Sequence, residues 1–339
     1  MFEEQFHDLQ DKIQQIIGPY QQLCDLRLRQ MFNGDGFLDQ VADYSLNAPG
    51  KRLRSVLHLL MVEAMGGDSE KALPGALSYE MAHTASLVHD DIIDNAAMRR
   101  GKDPVFRQFG LDAAIVSGDA LLVRAFQMIE EFRHTDLSRE DLLELVSCTA
   151  RMGLKACRGQ LMDSSMGRNP HGNSIKDYLE MISSKTASLI EGPCECAAII
   201  AGRKEWRTSA ALFGRYLGIA FQILDDSKDI YSCESSTLKG RFTDIINNKP
   251  NIYVIWSLKR TDPEQKQKLL RIISSTSLSQ RDIEFLYNLL HESGVLKKVI
   301  RLYRFYLTRA DKAISFLPDN SGKTKLKRII SSMASWPDE

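Results

Sequence analysis

Residues 72–95 read ALPGALSYEMAHTASLVHDDIIDN. Apolar and small side chains return every three or four positions, the period of a helix and not the period of two of a strand. Similar spacing marks residues 4–32, 52–65, 112–133, 139–165, 175–201, 208–231, 251–258, 264–275, 280–291 and 294–315. No series of alternating strands interrupts it, so the chain is expected to be all-α. Connections fall at Gly66-Gly67-Asp68, Arg168–Asn173 and Pro318–Gly322, where turn-forming residues cluster. No low-complexity linker or repeat divides the chain, and one helical domain over 1–339 is expected.

The end of the opening stretch carries the chemistry. His89-Asp90-Asp91-Ile92-Ile93-Asp94 has a counterpart 135 residues on, Leu224-Asp225-Asp226-Ser227-Lys228-Asp229. Each triplet puts carboxylates at i, i+1 and i+4. Asp90 with Asp94, and Asp225 with Asp229, then share a helix face. Like charges so placed destabilise a bare helix by about 0.2–0.5 kcal/mol, and burying them uncompensated costs far more. A bound cation removes the conflict. Hard carboxylate oxygens suit Mg²⁺, which completes its shell with water and substrate phosphates. A single triplet reads equally well as a solvated acidic helix end; two of the same spacing weaken that reading. No His or Cys stands at zinc-like spacing with either one.

A metal-held phosphate calls for cationic side chains. Gly50-Lys51-Arg52-Leu53-Arg54 opens a helical segment, with Lys51 and Arg54 three apart on one face near an N-terminus that favours anions. Arg99-Arg100-Gly101 follows the first triplet, and arginine forks suit phosphate oxygens. Lys185-Thr186, Lys239 and Lys249 add charge and a hydroxyl. Each alone reads as an ordinary surface group; their combination carries the argument. His83 lies two turns before Asp90 on the same face. It reads as a hydrogen-bonded core histidine or, beside a diphosphate, as a donor. Gln222, three before Asp225, faces the same way.

Composition excludes some classes. Of 339 residues 43% are hydrophobic and 26% charged, with 44 basic and 44 acidic side chains. Without net charge there is no global field for nucleic acid or an anionic membrane. The N-terminus, MFEEQFHDLQDKIQQII, has neither signal nor transit character. No uncharged apolar run approaches the roughly 20 residues of a membrane span. Six scattered cysteines point to a reducing compartment without disulfides. Cys194 and Cys196 share no helix face and read as small core residues. A cytoplasmic location is expected.

Taken together, GKRLR at 50–54, EMAHTASLVHDDIIDNAAMRRGK at 80–102, GQLMD at 159–163, KTASLIE at 185–191 and GIAFQILDDSKD at 218–229 resemble the trans-prenyl diphosphate synthases, the family of farnesyl, geranylgeranyl and longer polyprenyl diphosphate synthases. Lys239-Gly240, Asp244 and Lys249 resemble the family's later lysine-containing segment, so the likeness spans about 45–260. It implies an isoprenoid synthase fold, long helices around a deep cavity. It also implies Mg²⁺, roughly three ions per active site, held by Asp90, Asp91, Asp94, Asp225, Asp226 and Asp229 around an allylic diphosphate. Arg99, Lys185 and Lys239 would hold that diphosphate, with Lys249 in the same later segment. Lys51, Arg54, His83 and Arg100 would hold isopentenyl diphosphate, Phe221 would line the substrate site, and Thr186 and Gln222 would face the developing allylic cation. The implied reaction is ionisation, attack by the isopentenyl double bond and proton loss, driven by electrostatic stabilisation and proximity. The likeness further implies a homodimer, with transient membrane contact as a route for product release and no nucleic-acid partner.

Product length is read from α-helical spacing before Asp90. Ser86 and Ala85 are small where the resemblance implies bulky residues in short-chain members, Ala82 lies one turn deeper, and Met81 and Tyr79 are the next large candidates. Tyr79 lies about 16 Å of helix from Asp90. A product of at least about C20 is expected, unless these small residues merely serve close packing. Two departures from the family pattern stand in the second half: Lys228 inside DDSKD, and Asn247-Asn248-Lys249-Pro250-Asn251. Three readings follow: a competent prenyl transferase, a non-catalytic subunit of a hetero-oligomeric synthase, and a class I terpene cyclase. Six intact aspartates argue against the second. The second triplet and GKRLR argue against the third.

Overall fold

The structure, a computed structural model, describes residues 2–31, 34, 36–169, 172–231, 242–247, 249–275 and 277–336. Among them the chain forms α1 (Phe2–Met31), α2 (Phe37–Leu46), α3 (Leu53–Ala64), α4 (Leu73–Ile93), α5 (Val105–Phe109), α6 (Leu111–Glu130), α7 (Arg139–Arg168) and α8 (Ile175–Ile182). Then come α9 (Ser188–Ile200), α10 (Arg207–Tyr231), α11 (Thr243–Ile246), α12 (Ile252–Ser257), α13 (Pro263–Ile273), α14 (Gln280–Glu292), α15 (Val295–Ala313) and α16 (Ser321–Ala334). Among the described residues no strand occurs beyond one bridge between Arg99 and Lys102. The all-α expectation holds.

The stretch quoted first is α4. Pro74 sits in its first turn, where a missing N–H costs nothing. Its buried positions run all round the helix, from Leu73 to Asp91, as they must in a helix enclosed by others. Its neighbours include α3, α6 and α9. Capping boxes start α7, α8 and α14: Ser138 with Asp141, Ser174 with Asp177, and Ser279 with Asp282. Each satisfies two backbone N–H donors that the helix start leaves open.

Two differences from the sequence expectation matter. Residues 175–201 are helical throughout, but Ser183–Ala187 is a π turn between α8 and α9. Hydrophobic spacing does not distinguish that turn from α. In addition, α2, α5, α11 and α16 lie outside the periodic stretches. α2 carries the period over only ten residues, and α5 and α11 are shorter. α16 is held from outside: Asn320 caps it and donates to Ala64 O at 3.0 Å, and Lys325 reaches Glu63 of α3 at 3.0 Å.

One apolar cluster draws buried side chains from Phe6 of α1 to Trp336 beyond α16, and those two rings lie 4.7 Å apart. A smaller cluster gathers Val41, Val88, Val105 and Ala114. Cys194 and Cys196 are buried, as expected of core residues. α6 and α7 differ from the other helices: Ile115, Val116, Val123 and Phe126 on one, and Leu143, Leu154 and Leu161 on the other, are exposed. No helix among the described residues is long and apolar enough to cross a membrane.

Candidate active site

The first acidic triplet closes α4, and the second lies near the end of α10. Their members do not behave alike. The middle carboxylates are buried and committed to protein donors. Asp91 takes two bonds from the Arg99 guanidinium, one at 2.8 Å. Asp226 accepts from Tyr178 OH at 2.7 Å, Gln222 Nε2 at 3.1 Å and the Ile252 N–H at 3.1 Å. Burial, reinforced by Asp244, pushes the Asp226 carboxyl well above the usual carboxylate range.

The outer carboxylates face lysines. Lys249 lies 2.9 Å from Asp94, and Lys185 lies 3.9 Å from Asp90 while also pairing with Asp163 of α7. Burial raises the Asp90 pKa, Lys185 opposes this, and Asp94 and Asp163 add to it. Burial works against the Lys249 charge, but Asp94, Asp244 and Asp163 together lift that pKa. Asp94, Asp163 and Lys249 line a cleft of about 600 Å³, open to solvent. On α10, Asp229 accepts from the Asp244 N–H at 3.2 Å. Burial and then Asp229 push Asp244 up to about 7.

Lys185 and Thr186 sit on the π turn, whose wider coil shifts side chains relative to α. Two glycines grip this turn. A Cβ on Gly159 of α7 would lie 2.1 Å from Lys185 N, and one on Gly218 of α10 would lie 2.6 Å from Ala187 Cα. Only hydrogen fits at either place. Thr186 Oγ1 donates to Gln222 Oε1 at 2.8 Å, and Gln222 donates on to Asp226. The expected Thr186–Gln222 pair therefore forms one chain with the second triplet.

The basic residues form a separate corner. Arg54 Nη1 donates to His83 Nε2 at 2.9 Å, so the proton that His83 can offer is on Nδ1, which is buried without a partner. Burial and the neighbouring Arg54 and Arg100 hold His83 neutral, well below its ordinary pKa. Arg100 adopts a left-handed φ of 52°, and its guanidinium packs over Gly50, where a Cβ would come within 2.6 Å of Nη1. Lys51 is lowered by burial and then by Lys228 across the pocket. Lys239 lies outside the described residues.

Sequence reasoning passed over several members. Arg52 is the residue of GKRLR that turns inward. It is left-handed at φ 49° and buried, and it bonds Asp25 at 2.8 Å, Glu80 at 2.8 Å and the Leu46 and Ala48 carbonyls. It pins the loop that presents Lys51 and Arg54. Asp163, Tyr178 and Asp244 also join the acidic side. Asp163 lay inside GQLMD and Asp244 inside the later segment, but neither has triplet spacing to mark it.

Among the described residues no three His, Cys, Asp or Glu side chains converge tightly enough to enclose an ion unaided. The donor set still fits a divalent cation. Asp90, Asp94 and Asp163 supply hard oxygens, and burial first, with Asp94 and Asp163 adding to it, raises the Asp90 pKa, a cost that a bound cation would offset. Such an ion keeps water and substrate phosphate in its shell.

The sequence pattern of the polyprenyl synthetase family matches residues 35–290. This chain belongs to the polyprenyl synthetase family. A divalent metal is the cofactor of that family. The chain is 33% identical over 268 residues to the short chain isoprenyl diphosphate synthase of Methanothermobacter thermautotrophicus, covering 78% of this chain and 81% of that one. It is 33% identical over 294 residues to the geranylgeranyl pyrophosphate synthase of Geoglobus acetivorans, covering 86% and 88%. The geranylgeranyl pyrophosphate synthetase structure from Pyrococcus horikoshii superposes with a TM-score of 0.87 at 28% identity, covering 96% and 98%.

In this polyprenyl synthetase α4 orders the side chains expected to measure product length. Eleven residues bring Tyr79 back to within about 20° of the Asp90 direction, whereas Met81 lies about 180° round. Tyr79 is buried, with its ring 5.0 Å from that of His58. Ala82 and Ala85 are buried between, and Ser86 Oγ donates to His83 O at 2.7 Å.

Proposed function

We propose that this polyprenyl synthetase condenses isopentenyl diphosphate with an allylic diphosphate, head to tail, to a product of C20 or longer. One observation carries the reading: a lysine-faced acidic cleft at Asp90, Asp94, Lys185 and Lys249 stands beside a separate basic corner at Lys51, Arg54, His83 and Arg100. Two anionic substrates need two such places. Asp90, Asp91, Asp94, Asp225, Asp226 and Asp229 are assigned to Mg²⁺, roughly three ions per site, which neutralise the departing diphosphate. Asp91 and Asp226 would do so after release from, or through, their present donors.

Arg99, Lys185, Lys239 and Lys249 hold the allylic diphosphate and offset the charge that builds on it as the carbon–oxygen bond breaks. The Thr186–Gln222 pair turns oxygen dipoles towards the cation, and Phe221 lines the same wall. Lys51, Arg54, Arg100 and His83 Nδ1–H hold isopentenyl diphosphate with its double bond in reach. Apolar walls keep water from the cation. Tyr79, below small Ala82, Ala85 and Ser86, ends the product channel, with Met81 packing behind.

The whole chain acts as one domain, supported by a core that runs from Phe6 to Trp336. It works in the cytoplasm as a homodimer through the apolar faces of α6 and α7, and it meets membranes only transiently as product leaves. The test is to incubate purified protein with an allylic primer, labelled isopentenyl diphosphate and Mg²⁺, then size the products. Incorporation into C20 or longer chains is expected. No incorporation by the protein alone would overturn the reading in favour of a subunit role, and a cyclic hydrocarbon made without isopentenyl diphosphate would favour a cyclase.

A further inference from the structure

Gln160 of α7 lies inside GQLMD and has no part in the site described so far. Its side chain is half-buried, yet both amide atoms, Oε1 and Nε2, are shut away from solvent without a hydrogen-bond partner. Glutamine ordinarily keeps that end in water. A carboxamide buried with its donors and acceptor unused weakens a fold, so its placement calls for a reason other than packing.

Two ties fix where the amide points. Thr149 of α7 stands beside the Tyr79 hydroxyl of α4. Further along the same two helices, Lys185 bridges Asp90 of α4, at 3.9 Å, and Asp163 of α7. The helices therefore run in the same direction, and both pack on α6 and α9 while making little direct contact with each other. Gln160 follows Thr149 by eleven residues, which return it to within about 20° of the same direction and about 16 Å further along. Tyr79 and Asp90 are also eleven apart. The Gln160 side chain thus faces α4 at the level of Asp90, at the opposite end of the gap from Tyr79. Its neighbour Gly159 is the residue packed against Lys185 N.

Thr186 and Gln222 direct donors along their own chain, Thr186 to Gln222 and Gln222 to Asp226. The Gln160 amide is uncommitted at both ends. Such a dipole matches a breaking polar bond, where negative charge grows on one atom and positive charge on the other.

We propose that Gln160 is a further catalytic residue, its amide lying along the allylic carbon–oxygen bond. As that bond breaks, its electron pair leaves with the diphosphate oxygen, to which Nε2 donates, and the positive charge left on the allylic carbons meets Oε1. The proposal rests on the function given above and deepens it. The competing view makes Gln160 a structural group whose amide holds an internal water.

Gln160→Met keeps length and bulk without the amide and separates the two views. Steady-state kinetics give kcat and KM for both substrates, and melting curves of the free protein give stability. Calorimetry with Mg²⁺ and an allylic diphosphate alone gives the allylic Kd. We expect kcat to fall at least tenfold and the allylic Kd to rise about fivefold. KM for isopentenyl diphosphate should hold, and the melting temperature should stay level or rise, because an unused buried amide has gone. An unchanged kcat overturns the proposal. A melting temperature that falls together with kcat also overturns it and establishes the structural group. A wild type that fails to turn over would defeat the functional reading, while calorimetry still judges Gln160: an unchanged allylic Kd overturns the proposal, and a weakened one with stability intact supports it.

Discussion

At the scale of single residues, buried polar groups show how closely the interior is specified. His58 on α3 donates from Nδ1 to the Pro193 carbonyl at 2.8 Å, and its ring is fully buried. Burial holds the ring neutral and drives its pKa down to about 4. The sign follows from proton binding. The unfolded ring takes a proton near pH 6.5, whereas the folded one resists until about 4. Between those values the unfolded state binds more protons, so stability falls as pH falls. The full effect is on the order of 3 kcal/mol. Urea unfolding at pH 7 and pH 4.5 should show this loss in the wild type. It should be smaller in His58→Asn, which keeps a donor for Pro193; equal slopes would remove His58 as the cause. Buried Asp90 and Asp226 shift upwards and act with the opposite sign, so the difference between the two proteins is the quantity to read. Arg52 makes the same point about legibility. GKRLR by its spacing puts Lys51 and Arg54 on one face, and only the left-handed backbone at Arg52 shows that the cation between them turns inward to Glu80 and Asp25.

At the scale of elements, the π turn Ser183–Ala187 and the helix α4 are the working parts. The turn is held between Gly159 and Gly218 at distances no Cβ tolerates. Gly159→Ala must push Lys185 aside, and overpacking of this kind costs about 1–3 kcal/mol. We expect at least a tenfold loss of kcat/KM for the allylic substrate and a lower melting temperature. Gly153→Ala, on the same helix with nothing within 4 Å, should leave both intact or raise stability slightly. On α4, Ala85→Phe should shorten the product by chromatographic sizing; unchanged length would show that this helix does not set it. The helical nature of both elements was legible from spacing. The π turn was not, because one added residue per turn leaves the apolar pattern almost unaltered.

At the scale of the molecule, apolar side chains that no part of this chain covers are concentrated on α6 and α7. Val123 and Leu161 are 62% and 72% exposed, and apolar faces of this kind mark interaction surfaces. A second copy is the occupant we assign. Light scattering should give a dimer of the 38.3 kDa chain, and Val123→Glu with Leu161→Glu should give a folded monomer. A wild-type monomer would remove the assignment. The C-terminal region also takes on meaning only at this scale. α16, passed over in the periodic reading, ties to α3 through Asn320 and Lys325 and meets α1 through the Phe6–Trp336 contact.

By itself the sequence determined the helical class, the two acidic helix ends and the basic loop, because each is written in local spacing that a helix converts directly into a shared face. Tertiary structure alone decided which members of those motifs work together. It buried Asp91 and Asp226 against Arg99, Tyr178 and Gln222, turned Arg52 inward, and brought Asp163 and Asp244 beside the triplets. The reason is physical: spacing along one helix sets direction about that helix's own axis, while charge pairing and burial depend on which other helices, remote in sequence, close around it.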